Sequence, residues 1–457
     1  MPQINRANLE VLLDRERQTY RNNHPESLAL YERATNLFGS VPMTWMNKWS
    51  GGFPLYFAKA HGNRIVDVDG HEYIDFALGD TGAMAGHSPL ASTEAITQRI
   101  TTNGGITTMM PTEDAQIVAA NLTKRFGLPL WSFTLSATDA NRWAIRLARL
   151  ATGKSKILVF SYCYHGSVDE TFAVPNQDGV ATARPGNVAP PVPLDETTRV
   201  VEFNDLAAVE RELQNGDVAA VLTEPALTNI GIVLPQPGFL SGLRELATKY
   251  GALLMIDETH TFSAGYGGMT QRDHIKPDIF VIGKSIGAGI PSGAYGLTHE
   301  VAQAINKHPE ADLIDVGGVG GTLAGNALSL AAMRTTLEEV LTQEAFAHMI
   351  ELGTRYTSQV QAVLEKCEVP WSIAQIGARA EYRFTAPAPI TGTQSALASD
   401  DDLDEFMHLF MCNRGILMTP FHNMALMCPA TSAQDVDEHA RLFELAIEEL
   451  VQPSLKP

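Results

Sequence analysis

The middle of the chain alternates between short apolar runs and longer segments whose apolar residues recur at helical spacing. This pattern extends from about Thr93 to Met333. Such alternation is typical of a mainly parallel β-sheet covered by helices on both faces. The predicted strands are residues 132–136, 156–160, 199–203, 219–224, 252–258 and 278–283, and the helices between them include 141–150, 206–213 and 240–250. We therefore predict an α/β fold, and we expect ligands at the carboxyl ends of the strands.

The N-terminal part of the chain has a different pattern. Leu9, Leu12, Leu13 and Tyr20 lie at near-helical spacing among charged residues, which predicts an amphipathic helix. Residues 53–76 then alternate between apolar and polar positions with turn signals between them, which predicts a meander of short strands with one buried face.

The C-terminal part of the chain indicates a smaller α+β region. Its predicted elements are helices at 326–341, 343–367 and 433–451 and strands at 378–386 and 415–419. Two aperiodic stretches, 176–197 and 386–401, are interpreted as surface excursions. We predict an N-terminal segment, 1–79, that forms part of a small domain, a large domain, 80–330, and a C-terminal small domain, 331–457.

Composition and charge narrow the class of protein. Hydrophobic residues make up 45% of the 457 residues, as in a folded protein with a large core. Lys and Arg number 33 against 52 Asp and Glu, so the formal net charge is −19 and disfavours nucleic acids and anionic membranes as partners. The four cysteines have no motif spacing, and no run approaches the roughly 18 apolar residues of a membrane span. We expect a cytoplasmic protein with no nucleic-acid or membrane partner.

Lys284 is the first candidate for chemistry. It follows a strand pattern that ends at Gly283, and a buried lysine can act as a nucleophile that forms a Schiff base with a carbonyl group. The alternative is that the chain emerges into solvent at Gly283. The glycine-rich continuation, residues 284–296, favours a bound group, because glycines allow close backbone approach.

Asp257 ends the preceding predicted strand. An acid and a lysine at neighbouring strand ends meet the requirement of pyridoxal phosphate, which needs a lysine and an acidic partner for its pyridinium nitrogen. A solvated strand end is the alternative for Asp257. A metal site made of Asp257, Glu258 and His260 is disfavoured, because strand alternation points Glu258 and His260 away from Asp257. We expect no metal ion.

The turn at Ser136–Asn141 could bind the phosphate of such a cofactor. It leads from a strand into a helix and offers two hydroxyls and the N–H groups of a helix N-terminus. A plain helix cap is the commoner reading of such a turn. Tyr164 follows another strand and could stack on an aromatic ring or belong to the core.

Together these segments resemble the class III aminotransferases of fold type I, and within them the subgroup similar to glutamate-1-semialdehyde aminomutase. The resemblance covers nearly the whole chain. The matching motifs are DVDGHEYIDF at 67–76, GHSP at 86–89, PTE at 111–113, SATDAN at 136–141, YHG at 164–166, EPALTNIG at 224–231, DETH at 257–260, GKSIGAGIPSGAYG at 283–296 and GTLAGN at 321–326. Several dispersed motifs in the family's order are more specific than any single one.

The resemblance implies pyridoxal 5′-phosphate as cofactor and assigns roles to individual residues. Lys284 would form the Schiff base and move the proton between substrate and cofactor, and Asp257 would pair with the pyridinium nitrogen. Ser136, Ala137 and Thr138 would bind the phosphate.

Further roles follow from the same resemblance. Tyr164 would stack on the ring, with His165 of the same motif also at the cofactor, and Thr259 would lie against the opposite face. Glu224 resembles the family's active-site glutamate. Thr322 would reach the phosphate from the other subunit of a homodimer with shared active sites.

The substrate pocket departs from the family pattern. The segment after Asp257 lacks the arginine of several relatives, and the regions 43–49 and 418–424 are apolar and aromatic where related enzymes hold a carboxylate. We therefore predict that the amino donor carries a sizeable apolar group. The alternative is that the residues predicted to line its pocket are ordinary core residues. The predicted pocket residues are Trp45, Met46, Asp80, Met84 and Phe421.

The resemblance implies an aminotransferase that works by a ping-pong mechanism. An amine or amino-acid donor would leave its nitrogen on the cofactor, and a keto acid such as pyruvate or 2-oxoglutarate would take it up. The alternative is an aminomutase or racemase, since the same motifs serve both. A non-catalytic binding protein is disfavoured, because the pair Asp257 and Lys284 is intact.

Overall fold

The structure is a computed structural model that describes residues 4–309 and 318–451. The chain divides into two units. The smaller unit comprises residues 4–88, 347–388 and 398–451, and the larger comprises the described residues of 89–346 together with 389–397. The sequence-based segments 1–79, 80–330 and 331–457 stay a prediction about domains, and the units of the structure begin and end at other residues.

The strands and helices are numbered in chain order. The strands are β1 (Phe57–His61), β2 (Arg64–Asp67), β3 (Glu72–Asp75), β4 (Leu130–Thr134), β5 (Lys156–Phe160), β6 (Ala173–Pro175), β7 (Ala181–Ala183), β8 (Thr198–Val201), β9 (Val218–Thr223), β10 (Leu253–Asp257), β11 (Ile279–Gly283), β12 (Gly293–Leu297), β13 (Ser372–Ile376), β14 (Arg379–Arg383), β15 (Ile416–Leu417) and β16 (Met424–Leu426). The α-helices are α1 (Arg6–Asn23), α2 (Pro25–Arg33), α3 (Leu90–Gln98), α4 (Asp114–Phe126), α5 (Ala137–Thr152), α6 (Leu194–Thr197), α7 (Leu206–Leu213), α8 (Phe239–Lys249), α9 (Gly268–Arg272), α10 (His299–Ile305), α11 (Ala327–Thr335), α12 (Gln343–Lys366), α13 (Gly392–Leu397), α14 (Asp401–Cys412) and α15 (Ala433–Val451).

A seven-stranded sheet forms the core of the larger unit, in the order β4-β12-β11-β10-β9-β5-β8. Strands β8, β5, β9, β10 and β11 pair in parallel, and β12 runs antiparallel to both β11 and β4. The predicted strands are therefore confirmed, and with them the α/β fold class. The sequence pattern missed β12, because its GAYGL sequence reads as a glycine-rich turn although all but its last residue are buried.

Burial on both faces explains why the central strands are continuous apolar runs. All six residues of β9 and all five residues of β11 are buried. Parallel strands are covered by helices on both sides, so neither face can be polar. The ring of Phe280 in β11 stacks on Phe126 of α4 with centroids 4.3 Å apart and meets the edge of Trp131 at 5.7 Å.

The smaller unit contains two antiparallel arrangements. The meander predicted within residues 53–76 is confirmed as β1, β2 and β3, and β15 adds to β3 in parallel. Strands β13, β14 and β16 form a second sheet. The predicted N-terminal amphipathic helix is confirmed as α1, with Leu9, Leu12, Leu13 and Tyr20 buried.

Three details differ from the sequence-based expectations. The excursion at 176–197 contains β7 and α6, and β7 pairs with β6. The helix predicted at 326–341 ends at Thr335, where a π-helical turn follows. The excursion at 386–401 contains α13, which belongs to the larger unit. In the part of the chain that the structure describes, every helix is too short or too polar to cross a bilayer.

Truncation of Phe280 tests the packing of the sheet against α4. Phe280→Ala removes a fully buried ring and leaves a cavity, so the free energy of unfolding should fall by about 3–5 kcal/mol. Urea denaturation measures this loss. The control Phe38→Ala removes a ring that is 90% exposed and should change stability by no more than about 0.5 kcal/mol. Equal losses in the two variants would contradict the described packing.

Candidate active site

The carboxylate of Asp257 lies at the end of β10 and is held by three donors from different elements. Asn141 Nδ2 of α5 donates to Oδ2 over 2.8 Å, and His165 Nδ1 contacts the same oxygen at 2.9 Å. The backbone N–H of Thr259 donates to Oδ1 over 3.0 Å. Asp257, Asn141 and His165 are all buried. The carboxylate therefore has one fixed orientation inside the larger unit.

These contacts keep the pair of Asp257 and His165 charged. Burial alone raises the pKa of Asp257, but the hydrogen bonds from His165, Thr259 and Asn141 and the charge of His165 outweigh it and lower the pKa. Burial alone lowers the pKa of His165, but the Cys163 sulfur and the Asp257 carboxylate outweigh it and raise the pKa to about 10. The site thus presents an ionised acid at neutral pH.

Lys284 lies directly after the neighbouring strand. Strands β10 and β11 pair in parallel, with Asp257 opposite Val281, so their carboxyl ends lie at the same edge of the sheet. Lys284 has a φ of +51°, a left-handed conformation that costs a side-chain-bearing residue roughly 1–2 kcal/mol. Such strain is concentrated at functional sites. Its Nζ lies 3.0 Å from His260 Nε2.

The N-terminus of α5 lies beside the same strand ends. Ser136 caps the helix, and its Oγ accepts a hydrogen bond from the N–H of Asp139 over 3.2 Å. A Cβ placed on Gly283 would lie 2.9 Å from both N and Cβ of Ala137, so only glycine lets β11 come this close to the helix. The first N–H groups of a helix lack partners within it and bind anions such as phosphate.

The loop after β5 packs against the same helix N-terminus. Thr138 Oγ1 accepts a hydrogen bond from the N–H of Ser167 over 3.2 Å. Gly166 has a φ of +78°, and a Cβ there would lie 2.0 Å from Thr138 Oγ1. Tyr164 is half-buried, and its ring meets Phe172 edge to face with centroids 5.8 Å apart.

Two further predicted cofactor residues also lie in the larger unit. Glu224 follows β9, is buried, and accepts a hydrogen bond from the hydroxyl of Thr228. Thr259 is buried, and its Oγ1 has no hydrogen-bond partner among the residues that the structure describes.

The residues at these strand ends fit pyridoxal phosphate. An ionised acid, a lysine on the adjacent strand and a helix N-terminus are the three groups that its pyridinium, carbonyl and phosphate require. Several buried polar atoms in this region also lack a hydrogen-bond partner in the described part of the chain, and buried polar atoms in proteins are usually hydrogen-bonded. They are Asn141 Oδ1, His165 Nε2, Thr259 Oγ1 and Ser285 Oγ.

The structure separates the residues of the alternative metal site. Asp257 is engaged by Asn141 and His165, whereas the Glu258 carboxylate accepts hydrogen bonds from the Thr261 hydroxyl at 2.6 Å and from a backbone N–H. His260 contacts Lys284 instead. Burial raises the pKa of Glu258. These three side chains therefore do not converge on one point.

The predicted substrate residues lie in the smaller unit. Trp45 and Phe421 are both exposed and meet edge to face, with centroids 5.9 Å apart. Met46 and Asp80 are half-buried. Met84 has no exposed surface, which favours the alternative that it is an ordinary core residue.

Thr322 is exposed in a turn of the larger unit. Its role at the phosphate of a partner subunit stays a prediction.

Two residues at the site were not among the predicted site residues. Asn141 belongs to the SATDAN motif, and the structure buries its amide completely and pairs it with Asp257. A buried amide indicates a specific hydrogen-bond partner, but the sequence alone does not show that Asn141 is buried. His260 stood in the DETH motif and was considered only as a metal ligand. Its contact with Lys284 depends on the pairing of β10 with β11.

Comparisons with known proteins identify the family. A family model described as "Aminotransferase class-III" matches residues 45–447. The chain is 33% identical over 438 residues to "Glutamate-1-semialdehyde 2,1-aminomutase 2" of Exiguobacterium sibiricum, covering 94% of this chain and 98% of that protein. The chain therefore belongs to the class III aminotransferase family, whose enzymes use pyridoxal 5′-phosphate.

Solved structures show the same similarity. A glutamate-1-semialdehyde aminomutase from Pseudomonas aeruginosa PAO1 has a TM-score of 0.95 at 45% identity, with 98% of this chain and 99% of that chain covered. A variant of that enzyme was solved in complex with PMP. An omega-transaminase from Sphaerobacter thermophilus has a TM-score of 0.83 at 29% identity, with 93% and 97% covered. The fold is therefore that of the fold-type I enzymes.

The ion pair of His165 and Asp257 should make stability depend on pH. The pKa of His165 is raised from 6.5 to about 10 in the folded protein, so its stabilising effect is complete below pH 6.5 and is lost as the pH rises through about 10. The difference in unfolding free energy between the wild type and His165→Gln should therefore shrink over this range. Urea denaturation at several pH values measures it. A constant difference would contradict the ion pair, and exposed His299→Gln is the control.

Gly166 tests the contact between the YHG loop and the helix N-terminus. Gly166→Ala places a methyl group against Thr138, so the turn that is predicted to bind the phosphate must shift. The dissociation constant for pyridoxal phosphate should rise roughly 10–100-fold, corresponding to about 1.5–3 kcal/mol. Absorbance titration measures it.

Gly153→Ala is the matched control. Gly153 also has a positive φ, +67°, but a Cβ there would meet nothing within 4 Å. This variant should share the backbone strain and keep the affinity. Equal affinity loss in both variants would show that strain, and not the contact with Thr138, is responsible.

Proposed function

We propose that this protein is a pyridoxal phosphate-dependent aminomutase that moves an amino group within one substrate of the glutamate-1-semialdehyde type. The observation that carries the proposal is the 45% identity, over 98% of the chain, to a glutamate-1-semialdehyde aminomutase. The relative from Exiguobacterium sibiricum supports it over 94% of the chain. Among the two enzyme classes considered from the sequence, the comparisons favour the aminomutase alternative over the ping-pong transaminase.

The chain's own residues supply binding and proton transfer. When bound, the cofactor provides an electron sink that stabilises negative charge at the carbon that carries the amino group. The ionised Asp257 keeps the ring nitrogen protonated, and the N-terminus of α5 binds the phosphate. With the cofactor bound, Lys284 Nζ would take the proton from the substrate carbon that carries the amino group and give it to the cofactor carbon bonded to the same nitrogen. Burial of Asp257, Asn141 and His165 excludes water from the carboxylate.

A transaminase acting on an amine with an apolar group is the second candidate. The exposed pair of Trp45 and Phe421 favours it, because two exposed aromatic rings in contact suit an apolar ligand better than a carboxylate. Similarity to the omega-transaminase from Sphaerobacter thermophilus supports the same candidate. In this case a keto acid would accept the amino group.

We further propose that the protein is a homodimer. Exposed apolar side chains support this, because such a surface is usually covered by a partner. In the larger unit Met109 is 84% exposed, Met110 is 70% exposed and Leu323 is 50% exposed. Leu323 adjoins Thr322, whose proposed role at the phosphate requires a second subunit.

Turnover without a keto acid tests the proposed function. The protein loaded with pyridoxal phosphate should convert many equivalents of glutamate-1-semialdehyde to the isomer whose amino group has moved from C2 to C1. The reason is that an intramolecular transfer returns the cofactor to its starting form. Chromatography of substrate and product measures the number of turnovers.

Lys284→Ala is the control for this assay and should abolish turnover, because it removes the proton-transferring amine. Product that stops at one equivalent or less, and resumes only when pyruvate or 2-oxoglutarate is added, would contradict the aminomutase and support the transaminase.

A further inference from the structure

The contact between Lys284 and His260 joins the ends of two adjacent strands. His260 lies three residues beyond the end of β10, and Lys284 lies one residue beyond the end of β11. The distance between Lys284 Nζ and His260 Nε2 is 3.0 Å, which is a hydrogen-bonding distance. His260 is only 8% exposed.

The backbone on both sides of the contact is held in place. The N–H of Phe262 donates to the carbonyl of Glu258 over 2.9 Å, and the N–H of Ser263 donates to the carbonyl of His260 over 3.2 Å. On the other side, Lys284 begins a 3₁₀ turn that ends at Gly287 and whose next two residues are buried. The two side chains therefore meet from two ordered turns.

The chemistry of the two groups decides which atom donates. An ammonium group has no lone pair, so an ammonium and a protonated imidazole nitrogen cannot form a hydrogen bond and repel each other. A lysine side chain carries N–H donors in either protonation state, whereas an imidazole nitrogen without a proton is an acceptor. We therefore take Nζ as the donor and Nε2 as the acceptor, with the imidazole proton on Nδ1.

The two nearby carboxylates are engaged elsewhere. Asp257 is held by Asn141 and His165, and Glu258 accepts from the Thr261 hydroxyl. The imidazole of His260 contacts the amine at a hydrogen-bonding distance.

We propose that His260 is a positioning residue for Lys284, with its unprotonated Nε2 accepting a hydrogen bond from Nζ and fixing the direction of the amine. The proposal rests on the proposed function only in taking Lys284 as the lysine that reacts with the cofactor. The contact with His260 orients Nζ, and the lone pair of the neutral amine would take the proton from the substrate. His260 gains and loses no proton in this role.

Nitrogen NMR of the full-length protein tests the tautomer directly. With ¹⁵N-labelled histidine at neutral pH, the signal of His260 should show an unprotonated Nε2 and a protonated Nδ1, because these two kinds of nitrogen differ strongly in chemical shift. The His260→Gln spectrum assigns the signal. In Lys284→Met, the Nε2 signal should move as its donor is lost. A protonated Nε2, or a signal that is the same with and without Lys284, would overturn the proposal.

Kinetics test the consequence for the amine. In His260→Ala the amine is no longer held, so kcat should fall roughly 10–100-fold while KM stays close to the wild-type value. His260→Gln should recover most of the rate, because its amide oxygen can accept the same hydrogen bond. His299→Gln, an exposed histidine of the same unit, should behave like the wild type. Equal rates for the alanine variant and the wild type would overturn the proposal.

The rate of cofactor loading separates this proposal from the proposed function. When protein freed of cofactor is mixed with pyridoxal phosphate, Lys284 must attack the cofactor's carbonyl, and no substrate is involved. Loading should be slower in His260→Ala than in the wild type and largely restored in His260→Gln. If the wild type fails to isomerise glutamate-1-semialdehyde but this order of loading rates holds, the aminomutase proposal fails and the role of His260 stands. Equal loading rates would overturn the role of His260.

Discussion

The buried carboxylate of Asp257 is the group on which the arrangement of the site depends. An ionised group inside a protein is costly unless donors compensate it, and removing one partner of such a pair costs several kcal/mol. Here the donors are Asn141 on α5, His165 after β5 and Thr259 after β10. These donors come from three separate elements, so their hydrogen bonds to one carboxylate fix the positions of three parts of the larger unit relative to one another.

The parallel sheet explains why the candidate site residues lie at one edge of the sheet. Adjacent parallel strands end on the same side, so the residues that follow β10 and β11 meet although they are distant in sequence. Gly283 lets the end of β11 approach the N-terminus of α5, and Lys284 then adopts a left-handed conformation. An acid, an amine and an anion-binding helix end are thus brought together by backbone geometry.

The residues of the sequence motifs have roles in the steps that aminomutases and transaminases share. In the proposed function Asp257, Lys284 and the turn at Ser136–Asn141 contact the cofactor, and both classes of enzyme need the same proton transfer there. What separates the classes is whether the acceptor carbonyl belongs to the same molecule, which depends on how long the substrate is retained. That property depends on the residues that hold the substrate. Among those predicted from the sequence, Trp45 and Phe421 are exposed aromatic side chains in contact with each other.

The sequence by itself determined the central strands, because uninterrupted apolar runs report burial on both faces. It also placed the candidates Asp257 and Lys284 at the ends of two of these strands. It did not reveal β12, because a segment with two glycines is typical of a turn. Only its pairing with β4 and β11 identifies it as a strand. The contacts of Asn141 with Asp257 and of His260 with Lys284 were also decided only by the tertiary structure. Their partners are distant in sequence and are brought close by strand pairing and by the packing of a helix against the sheet. The local sequence pattern around each residue does not indicate such contacts.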